Sequence, residues 1–214
     1  MIDLFQSRFR RMSRTLWGSW PLILLITVIV SLEFGADPLR LMLRYARPEI
    51  VAGQWWRLFT GNFVHLGWWH VGLDLGGITL LWILVGDVLS GWRWILATLA
   101  GAWGVGLGLW WAWPHVIWYV GISGVAHTYW AAGALLLFTR RRWEGGALLA
   151  LLAMKLGWEQ AVGPLPSSSD ILHEPIVTSA HLIGAITGVM LALAFWVFPR
   201  VHSRFLELLI PKSL

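Results

Sequence analysis

Ser123 stands between glycines in Gly121-Ile122-Ser123-Gly124, at the head of an apolar run, and His181 lies just inside another. A serine hydroxyl becomes a nucleophile when an imidazole is placed to take its proton, so these two residue types are the minimum for a serine hydrolase. Gly121 and Gly124 permit a tight turn and close approach of other backbone, which makes Gly121 a supporting residue of the candidate site. A helix that begins at Ser123 offers free N–H groups and positive dipole character, both suited to a developing oxyanion. The competing reading of the same serine is a helix N-cap.

The segment Ala180-His181-Leu182-Ile183-Gly184-Ala185-Ile186-Thr187-Gly188 puts the histidine on a face of small residues. At roughly 100° per residue, Gly188 falls nearly in line with His181 and Gly184 about 60° away. Such faces let two membrane helices pack backbone to backbone, here bringing the imidazole against a neighbour, expected to be the Ser123 helix. A hydrogen-bonded packing histidine is the alternative.

His65, His70 and Asp74 open a further apolar run. His70 and Asp74 are four apart and share a helix face. His65 and His70 diverge by about 140° on a continuous helix. All three are metal-ligand types. The divergence and the lack of an H-E-x-x-H pattern argue against a metal, so no metal and no cofactor are expected. Interfacial polar residues near a span end are the plainer reading. His127 shares the Ser123 face and is expected to pack on the His181 ring, with a second base as the alternative. Lys155 and Glu159 form an i, i+4 pair in the fifth apolar run, read as mutual neutralisation or snorkelling, with substrate recognition as the alternative.

The elements that must hold these residues are membrane helices. Of the 214 residues, 57% are apolar and only 13% charged, against roughly 25% charged in a soluble domain. The chain has 18 Trp, a residue that favours the membrane interface. With no cysteine, disulfides and thiolate chemistry are excluded. The net charge of +5 is spread around the apolar runs, so nucleic acid is not an expected partner. Six runs, about Leu16–Leu32, Val64–Val85, Trp92–Trp111, Ile122–Phe138, Gly145–Val162 and Ile176–Phe198, approach the roughly 20 residues that span a bilayer as helix. The basic groups Arg8, Arg10, Arg11 and Arg14, then Arg140 to Arg142, then Arg200, Arg204 and Lys212 fall on one side if the N-terminus is cytoplasmic. The loop Pro164–Pro175, with Asp170 and Glu174, then faces outward. The expectation is a single all-α integral membrane domain over residues 1–214, with an uncleaved signal anchor, a basic cytoplasmic N-terminus (1–15) and a cytoplasmic tail (199–214).

Together these pieces resemble the rhomboid family of intramembrane serine proteases. The matching residues are Trp56-Arg57, then His65, His70 and Asp74 in the H-x4-H-x3-N pattern, Gly121 to Gly124 as G-x-S-G, and Ala180, His181, Gly184 and Gly188. They keep the family's order from about residue 50 to 198. More narrowly, Gly53-Gln54-Trp55-Trp56-Arg57, the Ser123 to His127 spacing, Lys155-Leu156-Gly157-Trp158-Glu159-Gln160 and Gly163-Pro164-Leu165-Pro166 resemble the rhombosortases. That resemblance implies a six-helix rhomboid core in a bacterial inner membrane, its active site toward the periplasm. Its substrates would be secreted or surface proteins held by a C-terminal GlyGly-type tail: a glycine-rich motif, an apolar helix and a basic end. One departure is Asp74, where the family usually has Asn. A protonated Asp74 would still donate to an oxyanion, whereas an ionised one would orient or charge-balance His70.

The implied mechanism is a Ser123–His181 dyad, with His70, the Ser123 N–H and Asp74 around the oxyanion. Four other readings compete. A general rhomboid protease would use the same dyad on another transmembrane substrate. A client-binding pseudoprotease would usually lack the serine or the histidine. A transporter would distribute polar residues along a path. A metal hydrolase on His65, His70 and Asp74 would respond to chelators.

Overall fold

The computed structural model describes residues 18–89, 91–164 and 176–209, with side chains as far as Trp196. The basic cluster Arg8 to Arg14, the outer-loop acids Asp170 and Glu174, and Lys212 lie outside the described residues, as do the side chains of Arg200 and Arg204.

In chain order the elements are α1 (Trp20–Glu33), α2 (Ala36–Leu43), β1 (Tyr45–Ala46), α3 (Arg47–Val51), α4 (Arg57–Thr60), a 3-10 turn (Gly61–Phe63), α5 (Trp68–Val85), α6 (Trp92–Ala112), β2 (Trp118–Tyr119), α7 (Ser123–Phe138), α8 (Arg142–Ala161) and α9 (Thr178–Leu209). Each of the six apolar runs thus contains a helix. Among the described residues, three helical stretches are long and apolar enough to cross a membrane: α5, α6 and Thr178–Trp196 of α9. Helices α1 and α2, bent by 113°, make a fourth if they are one span. α1 alone, with 14 residues, is too short, and two more of the six expected spans fall short for different reasons. α7 has only 16 residues, and α8 carries Arg142, Glu144, Lys155 and Glu159 along its length.

The helices are inside-out by aqueous standards. Leu80, Ile83, Met190 and Leu193 are exposed on the outer faces of α5 and α9, as lipid-facing residues should be. Trp69, Trp92, Trp111 and Trp143 are exposed near helix ends, the level at which an indole meets the headgroups.

Helix α7 is the most enclosed, with Gly124, Ala131, Ala132, Gly133 and Ala134 all buried. Lipid supplies no hydrophobic drive for helix pairing, so close contact must come from small residues. A Cβ on Gly184 would lie 1.9 Å from the Gly124 carbonyl oxygen, and one on Gly188 would lie 2.5 Å from the Thr128 carbonyl oxygen. The Thr128 hydroxyl donates to the Gly184 carbonyl at 2.9 Å. α9 therefore lies backbone to backbone on α7, as its small-residue face predicts. Arg141 pairs with Asp87 and Glu144, tying the turn after α5 to the turn after α7. The starts of α5 and α7 accordingly share the opposite end.

At that opposite end, residues 34–63 are tied down by arginines bonded to backbone carbonyls. Arg47 donates to the Leu109, Trp110, Trp113 and Val116 carbonyls, capping the C-terminus of α6. The buried Arg57 donates to Gln54 at 2.7 Å, to the Leu41 carbonyl at 2.8 Å and to the Arg44 carbonyl at 3.0 Å. The only strands described, β1 and β2, pair antiparallel with Tyr45 opposite Tyr119. This short ribbon leads into the turn before α7.

Candidate active site

The chain enters α7 through a fixed turn. Gly121 has φ +106°, a left-handed conformation that side chains other than glycine strain to adopt. A Cβ there would also lie 2.7 Å from His70 Nε2. Its N–H donates to the Val64 carbonyl at 2.8 Å, its carbonyl accepts the Tyr119 hydroxyl, and the next N–H, of Ile122, donates to Asp74 Oδ2 at 3.0 Å. Burial pushes the Tyr119 phenol up, so it stays protonated and remains a donor.

Ser123 is the first residue of α7. The N-cap position belongs to Ile122 and carries no side-chain cap bond, so the serine is not an N-cap. Its Oγ lies 2.9 Å from His181 Nε2. The other ring nitrogen, His181 Nδ1, lies 2.9 Å from Glu159 Oε2. A carboxylate only accepts, which assigns the ring proton to Nδ1 and leaves the Nε2 lone pair facing the serine hydroxyl. The second Glu159 oxygen, Oε1, carries the Lys155 ammonium. His127 stacks on His181 with centroids 4.2 Å apart and planes at 14°. Its Nδ1–H donates to the Ser123 carbonyl at 2.8 Å. His127 therefore packs and props, as expected, and does not reach the serine hydroxyl.

His65 and His70 converge, contrary to the helical-angle argument. Gly67 takes φ +107° just before α5 begins at Trp68, so His65 is off the helix and free to turn back. His65 Nε2 lies 3.2 Å and His70 Nε2 3.4 Å from the same oxygen, Asp74 Oδ2. The Leu66 N–H approaches His70 Nδ1 at 3.4 Å, consistent with a proton on His70 Nε2. Among the described residues the histidine and carboxylate atoms close enough to share a metal belong to a different set, His127, Glu159 and His181, all within 4.8 Å of one another. The Lys155 ammonium already pairs with that carboxylate.

Ser123, His181, His70, Asp74 and Lys155 all line one cavity of about 440 Å³, within the usual range for a binding site. Its walls are mostly apolar, with Leu81 and Leu84 from α5 and Leu148 and Leu151 from α8.

The sequence matches the Rhomboid domain over residues 52–198. The chain belongs to the rhomboid family. It is thereby a multi-pass membrane protein of a family of intramembrane serine proteases. No curated protein matches it. Two residues of this rhomboid's site were missed by sequence reasoning. Tyr119 carried no signal beyond its closeness to Ser123. Glu159 does carry one, a carboxylate within an apolar run, but the sequence reads it with Lys155 as a neutralising pair or a substrate contact and not as a partner of His181.

Proposed function

We propose that the protein is an intramembrane serine endopeptidase that removes the C-terminal membrane anchor of secreted or surface proteins. The observation that carries this reading is the 2.9 Å approach of Ser123 Oγ to His181 Nε2, beside an apolar cavity in a membrane-embedded chain. Ser123 attacks the scissile carbonyl while His181 takes its proton. The tetrahedral intermediate collapses as His181 returns that proton to the leaving amine. Water, or an amine nucleophile in a transfer reaction, then resolves the acyl-enzyme.

The oxyanion is held by the Ser123 N–H, which at the first helical position has no intrahelical acceptor, and by His70 Nε2–H. Asp74 does not donate to it in this reading. Its carboxylate fixes the Ile122 N–H and holds the His70 Nε2–H at 3.4 Å in the resting site, and that proton turns from Asp74 to the oxyanion as the charge develops. The fold is read as a single six-span domain with a cytoplasmic N-terminus, its site at the periplasmic end of a bacterial inner membrane. The narrower substrate class is the GlyGly-type tail, on the resemblance of residues 53–57 and 155–166 to rhombosortases. Glycines at the cleavage site would let a substrate helix unwind there.

The test is co-expression with a reporter carrying such a tail, comparing wild type with Ser123→Ala. Tail removal that depends on Ser123 is the expected result. A well-expressed wild type that leaves the tail intact would refute the substrate class, and an active Ser123→Ala enzyme would refute the mechanism.

A further inference from the structure

We propose that Glu159 is a positioning residue for His181, making the catalytic unit a Ser123–His181–Glu159 triad rather than a dyad. This deepens the proposed protease function and rests on it. Three observations carry the inference. The Glu159 carboxylate has two oxygens, and only Oε1 serves the ion pair with Lys155. Oε2 reaches across from α8 to α9 and lies 2.9 Å from His181 Nδ1. The carboxylate is also buried deeper than its cation, with side-chain exposure of 3% against 22% for Lys155. A pair that merely neutralised itself on the way to an interface would place both groups outward.

The chemistry follows from the geometry. A carboxylate that accepts from Nδ1–H holds the imidazole in the tautomer whose Nε2 can take the serine proton, and it steadies the imidazolium that forms when it does. Glu159 gains and loses no proton in this cycle. Lys155 supplies the counter-charge that a buried carboxylate needs. Nδ1 carries the proton in this arrangement, so the 3.4 Å approach of the Lys155 ammonium to it is proximity rather than a hydrogen bond. The ring is clamped from both sides of this axis, by Glu159 along its edge and by His127 across its face.

The experiment uses the full-length protein in detergent. It follows the rate at which a fluorophosphonate acylates Ser123, cleavage kinetics on a tail peptide, thermal unfolding, and the proton spectrum of 15N-histidine-labelled protein. Glu159→Gln is expected to slow labelling and lower kcat by up to about 10⁴-fold, the drop seen when a triad aspartate becomes an amide, with KM unchanged. Glu159→Asp, which keeps the charge, is expected to recover part of the lost rate. The wild type should show a downfield Nδ1–H resonance that disappears in both Glu159→Gln and His181→Ala. Glu159→Gln at wild-type rates, or a loss confined to KM, would overturn the proposal. So would a wild-type spectrum without that resonance, a readout that does not depend on any variant folding. A wild type that does not label at Ser123 would instead overturn the protease reading itself.

Discussion

Gly184→Ala tests whether helix contact sets the reacting distance. The new Cβ would start 1.9 Å from the Gly124 carbonyl oxygen and 2.8 Å from its carbon. Carbon side-chain atoms do not settle closer than about 3.0 Å, so α9 must retreat from α7 by at least about 1.1 Å at this point, and by about 1.5 Å to reach ordinary contact at 3.4 Å. The obstruction is backbone, which has no rotamer to change. His181 lies on the same helix, one turn before Gly184. A retreat of that size would stretch the 2.9 Å Ser123–His181 contact toward about 4 Å, beyond hydrogen bonding. A misplacement of about 1 Å costs roughly 10²-fold in rate, and overpacking costs about 1–3 kcal/mol in stability. The assay is fluorophosphonate labelling of Ser123 with thermal unfolding in the same detergent. Gly76→Ala is the control, since nothing lies within 4 Å of its new Cβ. That variant should label normally. Wild-type labelling by Gly184→Ala would refute the claim that backbone contact between α7 and α9 positions the pair.

Three further outcomes are expected. Asp74→Asn should keep most of the activity, because an amide oxygen can still accept the Ile122 N–H and a histidine N–H. Complete loss in cleavage assays would show that the negative charge itself is required. Gly121→Ala should abolish labelling, since φ +106° and the 2.7 Å approach to His70 Nε2 both exclude a methyl group; normal labelling would mean that the turn is not needed in this form. Arg57→Ala should lower the unfolding temperature by taking the guanidinium from the part-buried Leu41 and Arg44 carbonyls, each by less than the about 1–3 kcal/mol of a fully buried group. An unchanged transition would mean that water replaces the guanidinium.

Ser123 and His181 were legible in the sequence because their packing is written in glycines. A helix with His181, Gly184 and Gly188 near one face has to lie close to another backbone, and a serine after Gly121 is a fit partner. The six helices were legible for a similar reason, since apolar runs and basic loops follow from the bilayer itself. What failed was reasoning that stopped at one helix. His65 was given an angle on a helix that Gly67 prevents from starting so early. Nothing in the local sequence shows that Arg47 and Arg57 spend their donors on carbonyls brought in by the fold.

Glu159 is the most instructive case. Spacing pairs it with Lys155, and that pairing is real. A lysine bridge at i, i+4 occupies only one carboxylate oxygen, however, and a buried carboxylate with an idle oxygen is costly. The second oxygen therefore needs a donor from another helix. At the depth of Glu159 that donor is His181 Nδ1. The physical rule that would have found it is a count of unsatisfied acceptors, applied to every charged residue placed within an apolar run.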